Sequence, residues 1–243
     1  MGKNNMQIIG LFPTNCFLLR TRDGYLLIDT SYHDKYGLFI KELKKRDIKL
    51  EAIKYLLLTH HHCDHVGFAA EIVKNTGAKI IIHKNAVHHL KESQVIDPLS
   101  SKNGVKSLNL CVEILSEIYF KVKGYNFTYP PVTITEKDYV VEGDNYGILK
   151  EIGIDGIILS TPGHSDDSIS IVLSDGRAFV GDTAMNFLNI CHTKYRPIFV
   201  ENFEKVYGSW RKIIEYGAKI IYPAHGKPFS AENLKLQLEK KGK

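Results

Sequence analysis

A chain of 243 residues, 44% hydrophobic and 24% charged, has the composition of a folded protein with a core, which excludes a disordered polypeptide. No run approaches the ~18 uninterrupted apolar residues of a membrane helix, and the polar start from Met1 to Asn5 is unlike a secretory leader, so a cytoplasmic protein with no membrane partner is expected. The net charge of +5 (32 Lys and Arg against 27 Asp and Glu) is spread along the chain; its clusters, Lys41, Lys44, Lys45 and Arg46, then Lys240, Lys241 and Lys243, read as solvated helix faces, and no nucleic-acid partner is expected.

Strands are predicted at 7–11, 16–20 and 25–29, the last two separated by the Asp23-Gly24 turn. Helical spacing of Leu38, Phe39 and Leu43 predicts a helix over 36–46. The continuous apolar run 53–58 predicts a strand buried on both faces. A helix over 66–74, ended by Asn75 and Gly77, and a buried strand at 79–82 complete a β-α-β unit. From about 85 to 131 the pattern changes. Leu108, Cys111, Val112, Leu115, Ile118, Tyr119 and Val122 keep helical spacing between breaks at Asp97-Pro98, Asn103-Gly104 and Tyr129-Pro130-Pro131, which predicts a helical insertion or lid. Strands follow at 132–135, 139–141, 148–151, 156–159, 168–173 and 178–180, then a helix over 203–216, a strand at 219–222 and a last helix capped near Ser230. Cys16, Cys63, Cys111 and Cys191 stand far apart with no Cys-x-x-Cys pair, which argues against a disulfide framework and a thiolate zinc knuckle.

The segment Thr59-His60-His61-His62-Cys63-Asp64-His65 carries four residues of metal-ligand type at the end of a buried strand. In an extended segment residues two apart face the same way, so His60 and His62 can converge on one ion, and the turn that follows can swing Asp64 and His65 toward a second. Imidazole and carboxylate donors together suit zinc, with manganese and iron as competitors. Three further apolar strands run into Thr161-Pro162-Gly163-His164, Gly181-Asp182-Thr183 and Pro223-Ala224-His225-Gly226, each with a glycine beside the ligand-type residue, as expected where the backbone turns sharply or approaches another group closely.

The order His-x-His-x-Asp-His, Gly-His, Gly-Asp and a late His-Gly resembles the metallo-β-lactamase fold superfamily of hydrolases. Leu26-Leu27-Ile28-Asp29-Thr30 and Thr14-Asn15-Cys16 resemble the opening strands of that family, and the resemblance covers the chain apart from about 85–131. It implies an α/β fold, the four-layer αββα sandwich of the metallo-β-lactamase type, as a single domain over 1–243 with a helical insertion or lid at about 85–131. It places His60, His62 and His164 on one metal, Asp64, His65 and His225 on the other, and Asp182 between them, with Asp64 also the catalytic carboxylate. Two divalent metal ions are therefore expected, zinc first and manganese or iron next. The implied chemistry is attack by a hydroxide shared between the metals on a small-molecule ester, thioester, lactone or small phosphodiester. Histidine at 62, where the di-iron oxygen reductases of this fold have glutamate, and aspartate at 182, where one class of true β-lactamases has cysteine, both favour another hydrolase. Two alternatives remain: an iron-dependent oxygenase acting on persulfides, and a metal-containing regulatory module without turnover.

Among the other polar residues, the resemblance gives Asp29 a supporting hydrogen bond to the histidine loop. His61 and Cys63 alternate with the ligands and are expected to point away from them. His83 reads as a supporting or structural histidine, and His88 and His89 as surface residues. Trp210, Tyr119-Phe120, the Tyr125-Asn126-Phe127 stretch and Tyr129 read as core. The insertion, with Tyr195 and Arg196, is the expected source of substrate selectivity.

Overall fold

The structure, a computed structural model, describes residues 6–92, 106–124 and 128–241. Strands β1 (Met6–Leu11), β2 (Thr14–Arg20) and β3 (Tyr25–Ile28) form an antiparallel meander. Helix α1 (Tyr36–Lys45) leads to β4 (Ile53–Leu57); α2 (Cys63–Val66) and α3 (Ala69–Thr76) lead to β5 (Lys79–His83), parallel to β4. After α4 (Ala86–Glu92) come β6 (Lys106–Ser107), α5 (Leu110–Lys123) and β7 (Tyr139–Val141), which closes a first sheet of order β1-β2-β3-β4-β5-β7. Helix α6 (Ile148–Glu151) introduces β8 (Gly156–Ser160), β9 (Ile169–Leu173) and β10 (Arg177–Phe179); β11 (Phe199–Val200), α7 (Phe203–Glu215), β12 (Ile220–Tyr222), β13 (Phe229–Ser230) and α8 (Glu232–Lys241) complete the chain. The second sheet has the order β13-β12-β10-β9-β8.

Alternation along the strands builds four layers. Phe17, Leu19, Leu26, Ile28, Leu57 and Ile81 of the first sheet meet Ile158, Ile169, Ile171 and Phe179 of the second in one buried cluster. The intervening residues, Leu18, Leu27, Leu56, Ile80 and Ile82, face outward onto Phe39, Leu43, Ala69, Ile72 and Leu90 of α1, α3 and α4. On the far side, Leu159, Val172, Ala178 and Ile221 lie under Val206, Trp210, Ile213 and Leu234 of α7 and α8. Successive strand side chains point to opposite faces, so a strand with apolar residues at every position must be covered on both. The result is an αββα sandwich.

Several local expectations are corrected. Residues 148–151 form α6, not a strand: Asn145 Oδ1 accepts hydrogen bonds from Gly147 N at 3.0 Å and Ile148 N at 2.9 Å, starting a helical turn that buries Ile148 and Leu149 between the sheets. A short apolar run does not itself distinguish a buried turn of helix from a strand. Residues 132–135 form no strand; Val132 N donates to Leu90 O at 3.0 Å and Thr135 turns back onto Asp138. The helix expected over 66–74 is two helices, interrupted at Gly67-Phe68. The Asp97-Pro98 and Asn103-Gly104 breaks and the Tyr125-Asn126-Phe127 stretch lie outside the described residues.

The cysteine expectation is also corrected: Cys111 and Cys191 form a disulfide across a sequence separation of 80 residues, with Cα atoms 5.5 Å apart. Spacing in sequence does not measure distance in space, and α5 folds back over the segment that follows Asp182. Beside the disulfide, β6 pairs with β11, Leu108 N donates to Ile198 O at 2.9 Å, and Asn109 Nδ2 donates to Cys191 O at 2.9 Å. Asn109 Oδ1 also caps α5, accepting from Val112 N at 3.0 Å. The insertion is thus strapped to the loop opposite it. Among the described residues no helix is long and apolar enough to cross a membrane.

The Cys111–Cys191 link closes a long loop, so reduction or a Cys191→Ser change is expected to cost about 2–4 kcal/mol. Denaturant unfolding with and without reductant measures this; identical midpoints would show that the native protein does not carry the bond.

Candidate metal centre

Four strand ends converge on one edge of the sandwich. β4 delivers Thr59 and His60, and β8, β10 and β12, which run the same way in the second sheet, deliver His164, Asp182 and His225. The sheets are fastened there by backbone: Ile169 N donates to Thr59 O at 2.8 Å, and Asn15 N donates to Ala224 O at 2.7 Å. Close approach explains two of the glycines flagged in the sequence. Gly181 has φ +51°, and a Cβ on it would lie 2.5 Å from Thr59 Oγ1; Gly226 has φ +96°, with a Cβ 2.0 Å from Asn186 O.

All seven expected residues come together. His60 Nε2, His62 Nδ1 and His164 Nε2 form a triangle with sides of 3.1, 3.2 and 2.9 Å. Asp64 Oδ2 lies 3.2 Å from His225 Nε2, and Asp64 Oδ1 lies 3.9 Å from His65 Nε2. Asp182 stands between the two groups. Its Oδ1 is 3.3 Å from both His65 Nε2 and His225 Nε2, and its Oδ2 is 3.6 Å from His164 Nε2. Donors on a tetrahedral ion with bonds of ~2.0–2.1 Å stand ~3.3–3.4 Å apart, which these separations approach.

The outer hydrogen bonds fix which nitrogens face inward. His164 Nδ1 donates to Phe199 O at 2.8 Å, His225 Nδ1 to Pro13 O at 3.0 Å and His65 Nδ1 to Asp29 Oδ2 at 2.8 Å. The Thr59 hydroxyl gives its proton to Asp29 Oδ2 at 2.7 Å, so at 3.1 Å it accepts from His60 Nδ1. In all four rings the Nδ1 proton is committed outward and Nε2 is aimed at the centre. His65 Nε2 and Asp182 Oδ1 are buried with no hydrogen-bond partner among the described residues. Buried polar atoms of this kind need a partner, and a shared cation is one that satisfies both at once. The donor set, three imidazoles in one group and carboxylates with imidazoles in the other, fits metal binding.

The two halves differ in charge. Burial, reinforced by neighbouring imidazoles, holds His60 and His62 well below the ordinary histidine value, and burial also lowers His164. In the other half burial works the opposite way to the carboxylates and loses. Asp182 raises His65 well above its usual range and, with Asp64, brings His225 to about 10. Against their own burial, Asp64 is lowered to about 2 and Asp182 falls well below the carboxylate range, both through His65 and His225.

A family model described as the metallo-beta-lactamase superfamily matches residues 9–225. The chain belongs to the metallo-beta-lactamase superfamily. It is 26% identical over 196 residues to the metallo-beta-lactamase fold-containing protein ST1585 of Sulfurisphaera tokodaii, covering 79% of this chain and 69% of that protein. It is 25% identical to the beta-lactamase-like protein 2 homolog of Drosophila melanogaster (91% of this chain, 61% of the relative) and 25% identical to the probable metallo-hydrolase YflN of Bacillus subtilis (67% and 56%). The chain therefore spans less than two thirds of the length of the last two relatives. Among solved metallo-beta-lactamase folds, the family protein TTHA1429 of Thermus thermophilus superposes with TM-score 0.66 at 18% identity, over 98% of this chain and 78% of that one. The subclass B3 enzyme BJP-1 of Bradyrhizobium japonicum gives 0.65 at 20% identity, over 98% and 89%. These two establish likeness of fold.

The residues around the superfamily's motif divide. Asp29 hydrogen-bonds Thr59 N and Thr59 Oγ1, each at 2.7 Å, as well as His65. His61 turns away from the triangle and is buried against Asp167, whose Oδ2 lies 3.0 Å from its Nδ1 and accepts from its backbone N at 2.9 Å. His89 is not a plain surface residue: its ring stacks on His61 at 3.9 Å. His88 is exposed, and His83 is buried with its Nδ1 accepting from Asn85 N at 3.3 Å. Trp210, Tyr129 and Phe120 are buried as expected of core residues, Phe120 against Phe199; Phe120 and the partly buried Tyr119 also line a pocket over the centre, as does Cys63. Tyr195 stacks on Phe229 and Arg196 bonds His192 O and Thr193 O, so neither lines the pocket. Sequence reasoning missed Asp167, which the polar run Ser165-Asp166-Asp167-Ser168 beside His164 could have flagged. It also missed the Pro13 and Phe199 carbonyls, for which no sequence signal exists.

Two outcomes are expected. Asp29→Ala removes the acceptor of His65 and should weaken metal binding about 10- to 100-fold, read by chelator competition. Because the carboxylates hold protons on His65 and His225 in metal-free protein, metal entry must displace them, and affinity should fall as pH falls. Calorimetric titration in two buffers of different ionisation enthalpy measures the released protons; none released at pH 7 would contradict this charge arrangement.

Proposed function

We propose that the protein is a dinuclear metal-dependent hydrolase of small-molecule carboxylic esters, thioesters or lactones. The observation that carries this reading is the set of four imidazoles whose outer protons are committed to Phe199 O, Pro13 O, Asp29 and Thr59, leaving their inner nitrogens to converge with Asp64 and Asp182. The names of similar proteins, a probable metallo-hydrolase among them, point the same way.

In this proposal His60, His62 and His164 hold one ion, Asp64, His65 and His225 hold the other, and Asp182 serves both. When bound, two divalent ions, zinc first and manganese or iron next, supply Lewis acidity and a nucleophile from water at neutral pH. The chain's own residues then do three things. Asp29 and Thr59 keep His65 and His60 in the tautomers that face inward. Asp64, ionised and at the pocket wall, acts both as ligand and as the carboxylate facing the leaving group. Helix α5 roofs the centre with Leu115, Tyr119 and Phe120 and restricts bulk water. Water adds at the acyl carbon, the bond to the leaving oxygen or sulfur breaks, and a carboxylate, an alcohol or thiol and one proton result.

Elemental analysis of protein purified without added metal, together with an ester, thioester, lactone and phosphodiester panel, tests the reading. Two metals per chain and turnover of an acyl substrate are expected. Asp182→Ala should lose both ions and reduce kcat/KM at least a hundredfold, whereas retained metal and full turnover would refute its shared position. Oxygen consumption with a persulfide, and no hydrolysis, would replace the proposal with the oxygenase alternative.

A further inference from the structure

The pocket above the centre has a volume of about 360 Å³, within the small-molecule range. Its chemistry is lopsided. Beyond five of the convergent residues (His62, Asp64, His164, Asp182 and His225) and His61, the polar groups lining it are Cys63, Ser116 and a Tyr32–Tyr119 pair that hydrogen-bond each other. Among the described residues no lysine or arginine lines it, although the chain carries 32 of them. The remaining walls are hydrocarbon. Phe120 stacks on Phe199 at 6.4 Å at one side, while Phe12, 73% exposed, meets Phe187 edge-on at the other, and the Phe187 ring lies 5.7 Å from that of His225. Leu115 and Ile198 complete the roof and wall.

We infer that this pocket takes the uncharged hydrocarbon tail of an acyl substrate, with the reacting carbonyl at the histidine–aspartate floor. The inference rests on the hydrolase reading and deepens it. An apolar tail removed from water gains free energy in proportion to the area it buries. A second charge at the far end of the substrate, a phosphate or a distal carboxylate, would be desolvated against phenyl rings, with no cationic side chain among the described lining residues to meet it.

The test uses metal-loaded protein and p-nitrophenyl esters from acetate to octanoate, with p-nitrophenyl hemisuccinate and bis(p-nitrophenyl) phosphate as charged competitors. Each methylene that enters the pocket should raise kcat/KM up to about fourfold, the equivalent of ~0.8 kcal/mol per buried CH₂. Calorimetric binding of 2-alkanones from four to ten carbons, which have no leaving group, should climb in parallel. Leu115→Lys, on a half-open helix face where folding is not at stake, should flatten both slopes; Leu115→Trp should shorten the chain length at which they level off. Hydrolysis of acetate with flat slopes in both series overturns the inference and leaves the hydrolase standing. Preference for the hemisuccinate or the phosphodiester also overturns it. No ester turnover with a rising alkanone series sinks the hydrolase reading and supports the apolar occupant.

Discussion

The Asp29 carboxylate is the interaction on which the site's order depends. It is buried at the end of β3 and receives three hydrogen bonds, from the backbone and hydroxyl of Thr59 and from the His65 ring. Its backbone sits in the left-handed region at φ 56°, a conformation that aspartate tolerates better than most residues and that turns the carboxylate across to the neighbouring strand end. Through Thr59 the same group sets the orientation of His60. One carboxylate thus orients an imidazole in each half of the centre.

The sandwich supplies the rest. Residues from positions 60 to 225 meet because strands of both sheets end at the same edge, and the buried inter-sheet cluster holds those ends in register. The strand ends, the turns after them and the short helix α2 carry the ligands, and the carbonyl acceptors are Pro13 O after β1 and Phe199 O on β11. Asp167 adds an anchor from the second sheet to the histidine loop of the first, at His61.

Over this rigid floor the insertion behaves differently. Helix α5 buries Val112, Ser116 and Phe120, the last two at the pocket, but leaves Ile118 56% and Val122 85% exposed, so only part of its apolar stripe is covered. What holds it is the strap to 191–200, including the Cys111–Cys191 bond. Disulfides persist in oxidising compartments and are rare in mesophilic cytosol, so this bond pulls against the cytoplasmic expectation that composition alone favours. The helix that lines the pocket over the centre is also one whose attachment includes a bond that reductant can break.

The sequence by itself determined many of the strands and helices, through apolar runs and their period, and it offered the seven convergent residues, because metal-ligand types recur at strand ends; the two-sheet sandwich was implied by the resemblance that the order of those residues carries. Local periodicity reports only which face of an element is apolar. It could not decide whether 148–151 was helix or strand, since the capping contact from Asn145 and burial between sheets settled that. Nor could it show that His62 turns Nδ1 inward while its neighbours turn Nε2, that Tyr119 and Phe120 line a pocket while Tyr195 does not, or that two cysteines 80 residues apart are joined. Those facts depend on distances between elements remote in the chain, and only the packed tertiary structure sets them.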